Sequence, residues 1–339
     1  MSFWPADDHM LIMNLNPVMY NKHGRCVSLT DDDLARLSDA GAKTVIQYGI
    51  WSELVAHGWG YLDTAVALAQ THGMRSMIFA YHTAPHNLPK EWYCWKKDKS
   101  IGLHNSAGMH VLSLWNMEAR AALIGHLGEI VNRYPQDTAS VVFIGMGCGE
   151  TVLPNAYFYE PSAIKSHAAE VGGKPDPNGM ETRAWVHRAV VDLYTAASAA
   201  LLPQHNQTLN AMHQVLLKNN KSSGAGAQED IFAEEYKRWP DADRYLMQYT
   251  YWPHVKNNYK GIIDGWREKY KIQMIAEASY CVGLPRTAPL AIAAGMRGQL
   301  VGPRHPETKE GRLKQEHIDA IAAAIRLWSE SDATRKGEQ

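Results

Sequence analysis

The chain has 339 residues, 45% hydrophobic and 20% charged, the balance of a folded protein with a large buried core rather than of a disordered one. Its 34 Lys and Arg against 35 Asp and Glu leave a formal net charge of -1, so no field favours nucleic acid or anionic lipid as a partner. No apolar run reaches the ~18 residues of a membrane-spanning helix, so no membrane partner is expected.

The N-terminal stretch MSFWPADDHMLIMNLNP lacks a basic region, and its apolar patch from Met10 to Leu15 is too short for a secretory segment, so a cytoplasmic protein is expected. A phage-borne enzyme released by lysis would share these features. Cys26, Cys94, Cys148 and Cys281 show no CxxC spacing and read as reduced thiols.

Residues 1–9 read as an N-terminal arm. The first strand is Met10 to Asn14. Thr30 is placed to cap a helix whose Asp31, Asp32 and Asp33 suit the positive end of the helix dipole, and Gly41 ends it. A β-rich run, Thr44 to Ile50, precedes a helix from Tyr61 to His72 that carries Leu62, Ala65, Val66 and Ala69 on one face. Gly73 closes that helix before a strand from Met74 to His82. A long insertion, Thr83 to Asn116, leads to a helix striped by Leu123, Leu127, Ile130, Val131 and Tyr134.

The fourth strand is the apolar run that ends at Glu150, within SVVFIGMGCGETVLP, and a proline-containing loop from Thr151 to Gly179 follows. A helix from Met180 to Leu202 then precedes a weak fifth strand, Thr208 to Gln214. A helix from Glu229 to Arg238, a sixth strand from Arg244 to Trp252 and a helix from Asn257 to Tyr270 come next. The seventh strand lies in KIQMIAEASYCVG and ends on Glu277. A helix from Pro289 to Arg297, with its proline in the first turn, leads to an eighth strand, Gln299 to Pro303, and a closing helix, Gln315 to Trp328. Residues 329–339 read as a frayed, charged tail. Eight strands alternating with eight helices, and no GxGxxG after the first strand, predict one α/β domain over residues 10–328, a (β/α)₈ TIM barrel. Its long loops follow strands three and four, on the face where barrels build active sites.

Glu150 and Glu277 then end strands on opposite sides of the barrel mouth. Two carboxylates converging from separate walls suit glycoside cleavage, in which one protonates the leaving oxygen and the other attacks the anomeric carbon or activates water. Gly145, Gly147 and Gly149 leave room for a sugar ring beside Glu150. Aromatic faces pack well against sugar C–H faces, and Trp51, Trp59, Trp92, Trp95, Trp115 and Trp252 fall at strand C-termini or in the loops after them. His82, His213 and His305 also lie at strand ends. With no HxH or HExxH they read as hydrogen-bonding residues of a sugar subsite rather than as metal ligands, so neither metal nor cofactor is expected.

The segment AGAKTVIQYGIWSELVAHGWGYLDTAVALAQTHGMRSMIFAYHTAPHNLPKEWY resembles the β2 to β3 region of clan A glycoside hydrolases, the β-galactosidase families in particular. Trp51 stands shortly after strand two, and Gly60, Tyr61, Leu62 and Asp63 open the next helix. Ala69, Gly73 and Met74 turn into strand three, and Pro89 and Trp92 form the loop after it. The resemblance implies a retaining glycosidase with Glu150 as acid/base, Glu277 as nucleophile and a strand-six tyrosine, Tyr249 or Tyr251, against the nucleophile. The chain departs from that pattern where Gly149 replaces the usual Asn before the acid/base. GMGCGE is instead similar to the strand-four run of β-amylases, which invert. After strand eight, Gly302, Pro303, Arg304 and His305 stand where a Trp is common.

The expected substrate is an oligosaccharide or glycoside, contacted by Tyr48, Trp51, His82, Trp115, His213, Tyr249, Tyr251 and Trp252 around Glu150 and Glu277. The alternatives are a barrel that binds carbohydrate without cleaving it, within a larger assembly, and a metal-dependent barrel hydrolase. The oligomeric state stays open.

Overall fold

The structure is a computed structural model that describes residues 7–14, 29–104, 109–135, 138–144, 158–176, 179–205, 210–215, 245–252, 273–278, 281–302 and 313–337. Eight parallel strands close a barrel: β1 Met10–Met13, β2 Thr44–Tyr48, β3 Arg75–Tyr81, β4 Ala139–Ile144, β5 Asn210–Val215, β6 Tyr245–Trp252, β7 Gln273–Ala278 and β8 Gly298–Val301. Each pairs with its neighbour in sequence, and β8 pairs with β1 through Gln299 with Met10 and Val301 with Ile12. This is the predicted (β/α)₈ barrel.

The strands are apolar and buried on both faces, as parallel barrel strands are, with successive side chains turned to opposite sides. Ile12, Val45, Ile78, Ala276 and Val301 join the surrounding helices in one continuous apolar cluster. The alternate positions Leu11, Ile46, Met77, Phe79, Ile275 and Leu300 are buried just as completely but stand apart from that cluster, so they fill the barrel interior.

The described helices are α1 Asp31–Asp39, α2 Trp51–His57, α3 Gly60–Thr71, α4 Met117–Arg133, α5 Pro161–Glu170, α6 Met180–His205, α7 Leu284–Ala293 and α8 Gln315–Gly337. At α1 the cap is reciprocal: Thr30 accepts from the Asp33 amide, and the Asp33 carboxylate accepts from the Thr30 amide. Asp63 ties α3 to α4, accepting from Arg133 Nε at 2.7 Å and from the Tyr134 hydroxyl at 2.8 Å. The Arg133 guanidinium holds the Asp63 carboxyl below its ordinary range. The residue that carries the family resemblance at this point therefore joins two helices.

Four expectations change. Trp51–His57 forms a helix of its own rather than a connection, and α5 interrupts the loop expected from Thr151 to Gly179. In α5, Pro161 occupies the first turn, where its missing N–H costs nothing, while Ala163 and His167 turn inward. The helix expected to start at Pro289 begins at Leu284, placing Pro289 inside it, because Leu284, Thr287 and Ala288 are buried and pull that turn onto the barrel. The closing helix runs past Trp328 to Gly337, and Asp332 lies 2.8 Å from His9 Nε2, which stacks on Trp328. That contact fastens the last helix to the residue before β1. The helices expected at residues 229–238 and 257–270 lie outside the described residues.

Gly49, just after β2, donates its amide to the Phe79 carbonyl at 2.9 Å and so extends the β2–β3 pairing by one step. A Cβ there would stand 2.8 Å from Cγ2 of Ile78 and 3.4 Å from Cδ1 of Ile130. Gly49→Ala is therefore expected to destabilise the fold by about 1–3 kcal/mol through overpacking, read as a lower urea midpoint with an unchanged slope.

Candidate active site

The C-terminal ends of the strands form the barrel mouth, and two tyrosines close its β2–β3 side. Tyr48 and Tyr81 stand two positions beyond the interior residues Ile46 and Phe79, with rings nearly parallel at 11° and centroids 5.9 Å apart. Tyr48 is almost fully buried and also meets Phe79 edge-on.

Glu277 lies near the C-terminal end of β7, two positions beyond Ile275 and opposite Leu300 of β8. The β6–β7 pairing shifts at this point. Ala276 pairs with Tyr249 and Ala278 with Trp252, so Thr250 and Tyr251 together oppose the single residue Glu277. Such bulges bend a strand and re-aim its residues, and they concentrate beside active sites. The backbone thus carries Glu277, Tyr249, Tyr251 and Trp252 at the C-terminal ends of two adjacent strands. His213 pairs with Met247 on the neighbouring strands β5 and β6. Glu150 lies outside the described residues; β4 is described as far as Ile144, which pairs with Tyr81 and Met212.

The other expected contact residues sit in packed surroundings. Trp51 opens α2 and lies flat on His126 of α4, at 5.0 Å between centroids. Trp59 tilts against the same histidine, and Arg133 covers it at 5.2 Å. Trp115 stacks on Trp185 of α6 at 3.9 Å and meets Phe158 edge-on. Each of these rings therefore has a face already engaged in anchoring a loop to a helix. His82 follows β3 directly and is buried; burial, with the nearby Arg120 cation, pushes its imidazole down to about 3. It is therefore neutral near neutral pH.

The insertion after β3 folds into a small antiparallel sheet of Thr83–Ala84, Met109–Val111 and Leu103–His104, in that order of pairing, plus a 3₁₀ turn at Lys90–Trp92. Trp92 donates to Glu118 on α4 at 3.1 Å, and Lys90 lies over the Trp95 ring at 4.7 Å. Where this insertion meets the chain arriving at α5 stands Glu160, which the sequence reading passed over. Its side chain is fully buried, accepting from the Trp95 amide at 3.1 Å and from the Ser113 hydroxyl at 2.6 Å. The available signal was a carboxylate directly before Pro161, at the entry to a helix.

Burial pushes the Glu160 carboxyl up to about 7, against hydrogen bonds from Ser113 and Trp95 that favour its charge. A folded-state value raised above the ordinary 4.5 means that its contribution to stability is fully present below about 4.5 and lost as pH rises through about 7. The loss is up to about 3 kcal/mol for this fully buried group. The melting temperature should therefore fall from pH 5.5 to pH 8, and Glu160→Gln should flatten that fall.

Among the described residues no group of three or more His, Cys, Asp or Glu side chains could hold a metal ion, and no helix is long and apolar enough to cross a membrane. Cys94 and Cys281 are both buried, and the Cys94 thiol donates to the Leu112 carbonyl; Cys26, Cys148 and His305 lie outside the described residues.

No family model matches the chain, and no curated protein does. Solved structures share its fold. A fungal β-1,4-galactanase is 10% identical with a TM-score of 0.54, covering 92% of this chain and 98% of its own. A glycoside hydrolase family 5 enzyme from Prevotella bryantii, solved with a xyloglucan tetradecasaccharide, is 12% identical with a TM-score of 0.52, covering 94% and 96%. A D-psicose 3-epimerase from Clostridium cellulolyticum is 10% identical with a TM-score of 0.47, covering 95% and 98%. At such identities the likeness shows the fold alone, a (β/α)₈ barrel.

Proposed function

We propose that the chain is a glycoside hydrolase that cleaves an O-glycosidic bond with retention, Glu150 acting as acid/base and Glu277 as nucleophile. The observation that carries this reading is Glu277 at the C-terminal end of β7, opposite a bulge of β6 and beside Tyr249, Tyr251 and Trp252. The barrel shared with the galactanase and the family 5 enzyme supports the substrate class, an oligosaccharide or glycoside.

In this reaction Glu150 gives its proton to the departing glycosidic oxygen while a Glu277 oxygen bonds to the anomeric carbon, which forms a glycosyl ester. Glu150, now ionised, takes a proton from water, the water oxygen displaces Glu277 from the anomeric carbon, and both carboxyls return to their starting states. His213, Tyr249, Tyr251 and Trp252, on the strands around Glu277, supply contacts to the sugar, while Tyr48, Trp51, His82 and Trp115 are packed against neighbouring side chains or buried.

The test is a panel of aryl glycosides and oligosaccharides followed by azide rescue of Glu277→Gly and Glu150→Gly. The two variants should yield glycosyl azides of opposite anomeric configuration, because azide enters from opposite faces of the sugar. Tight oligosaccharide binding with no turnover across the panel would instead make the chain a carbohydrate-binding barrel, the reading favoured by Gly149 in the place of Asn.

A further inference from the structure

The insertion after β3 leaves the strand at the barrel mouth, and at Trp95 it meets the turn entering α5. The Trp95 carbonyl accepts from the Tyr159 amide at 3.1 Å and the Trp95 amide donates to Glu160, so both polar groups of one residue clasp that turn. Ser113 completes the junction. Its hydroxyl donates to Glu160 and accepts from the Trp115 amide at 3.2 Å, within 3.4 Å of the Ser162 hydroxyl. Phe158, Trp115 and Trp185 pack edge-to-face and face-to-face beside it, and His167 meets Trp185 edge-on.

A fully buried carboxyl is a costly way to join two loops unless the partners need it. Here the Trp95 amide is one of those partners: a half-buried backbone donor that loses its acceptor when the carboxyl is removed. We infer that Glu160 is a positioning residue, a buried latch that locks the insertion after β3, which leaves the strand at the mouth, to the turn entering α5. This rests on reading the mouth as a glycosidase site. Glu160 acts through Trp95 on the insertion after β3 rather than on substrate.

The chemistry predicts which substitutions the latch tolerates. A Gln can place its carbonyl oxygen on the Trp95 amide and turn its NH₂ to Ser113, whose hydroxyl accepts as readily as it donates. An Ala takes the acceptor from the Trp95 amide. The titratable neighbour facing Glu160 is Cys94, a buried thiol whose pKa is raised well above its ordinary value by burial and by the Glu160 charge. The Gln variant removes that charge and leaves the hydrogen bonds in place.

Hydrogen exchange on the full chain provides the test. In Glu160→Ala, peptides covering 93–104 and 158–170 should both exchange roughly tenfold faster or more, while β1 to β3 exchange as in the parent. Glu160→Gln should restore parental exchange in both. Ser113→Ala, which removes one partner and spares the backbone clasp, should show the same paired change at smaller size, and it serves where Glu160→Ala fails to fold. On a responsive glycoside, kcat of the Ala variant should fall roughly tenfold with KM within about twofold of the parent, and Gln should recover it. Faster exchange in only one of the two peptides, or in neither, overturns the latch. Faster exchange in both with kcat unchanged overturns its positioning role. A parent that turns over no glycoside defeats the reading of the mouth, while the exchange comparison still decides the latch.

Discussion

Glu277→Gln and Glu150→Gln should each lower kcat/KM on a responsive glycoside by roughly 10²- to 10⁴-fold or more, with the melting temperature within a few degrees of the parent. The two losses should differ in kind. Without Glu277 no ester to the anomeric carbon can form, so the first step fails whatever the leaving group. Without Glu150 the first step survives on substrates whose leaving groups need no proton, such as an activated phenol, and the loss then moves to hydrolysis of the glycosyl-enzyme. A burst of phenol from Glu150→Gln and none from Glu277→Gln would assign the two roles separately. Near parental activity in either variant would remove that residue from the mechanism.

Trp185→Ala should cost about 3–5 kcal/mol of stability. Trp185 is 1% exposed, stacks on Trp115, meets Phe158 and His167 edge-on, and donates its indole N–H to Ser166. Its removal leaves a cavity where α5, α6 and the end of the first insertion join, and it strips one face of Trp115. Trp185→Phe retains part of the ring packing and should recover about half of the loss, with the unfolding midpoint as the measurement in both cases. A loss below about 1 kcal/mol for Trp185→Ala would show that this aromatic layer does not hold the insertions.

The barrel was legible because its signals are local and repeated. Capping at Thr30, the Leu62, Val66 and Ala69 stripe, and short apolar runs at regular spacing each report a backbone state within a few residues. Trp51–His57 escaped notice because no side chain caps it and it buries Leu54 alone, so its helical period is too weak to stand out. The bulge opposite Glu277 depends on how two strands register, which neither strand encodes alone.

The candidate site was legible only where chemistry and position coincide. Glu277 stood out as a carboxylate ending an apolar run. Glu160 did not, because its significance lies in Trp95 and Ser113, far away in the chain. Trp51 and Trp115 read as sugar platforms by their place after strands, yet the rings they stack on, His126 and Trp185, belong to helices that no nearby residue announces.

The separation of the Glu150 and Glu277 carboxyl groups in a crystal with a bound oligosaccharide tests the central claim most directly. A retaining pair predicts ~5 Å, with the scissile bond between the two carboxyls; ~6.5 to 9.5 Å would keep the pair and reverse the stereochemistry, and carboxyls well beyond that span, or a sugar bound away from both, would contradict the account.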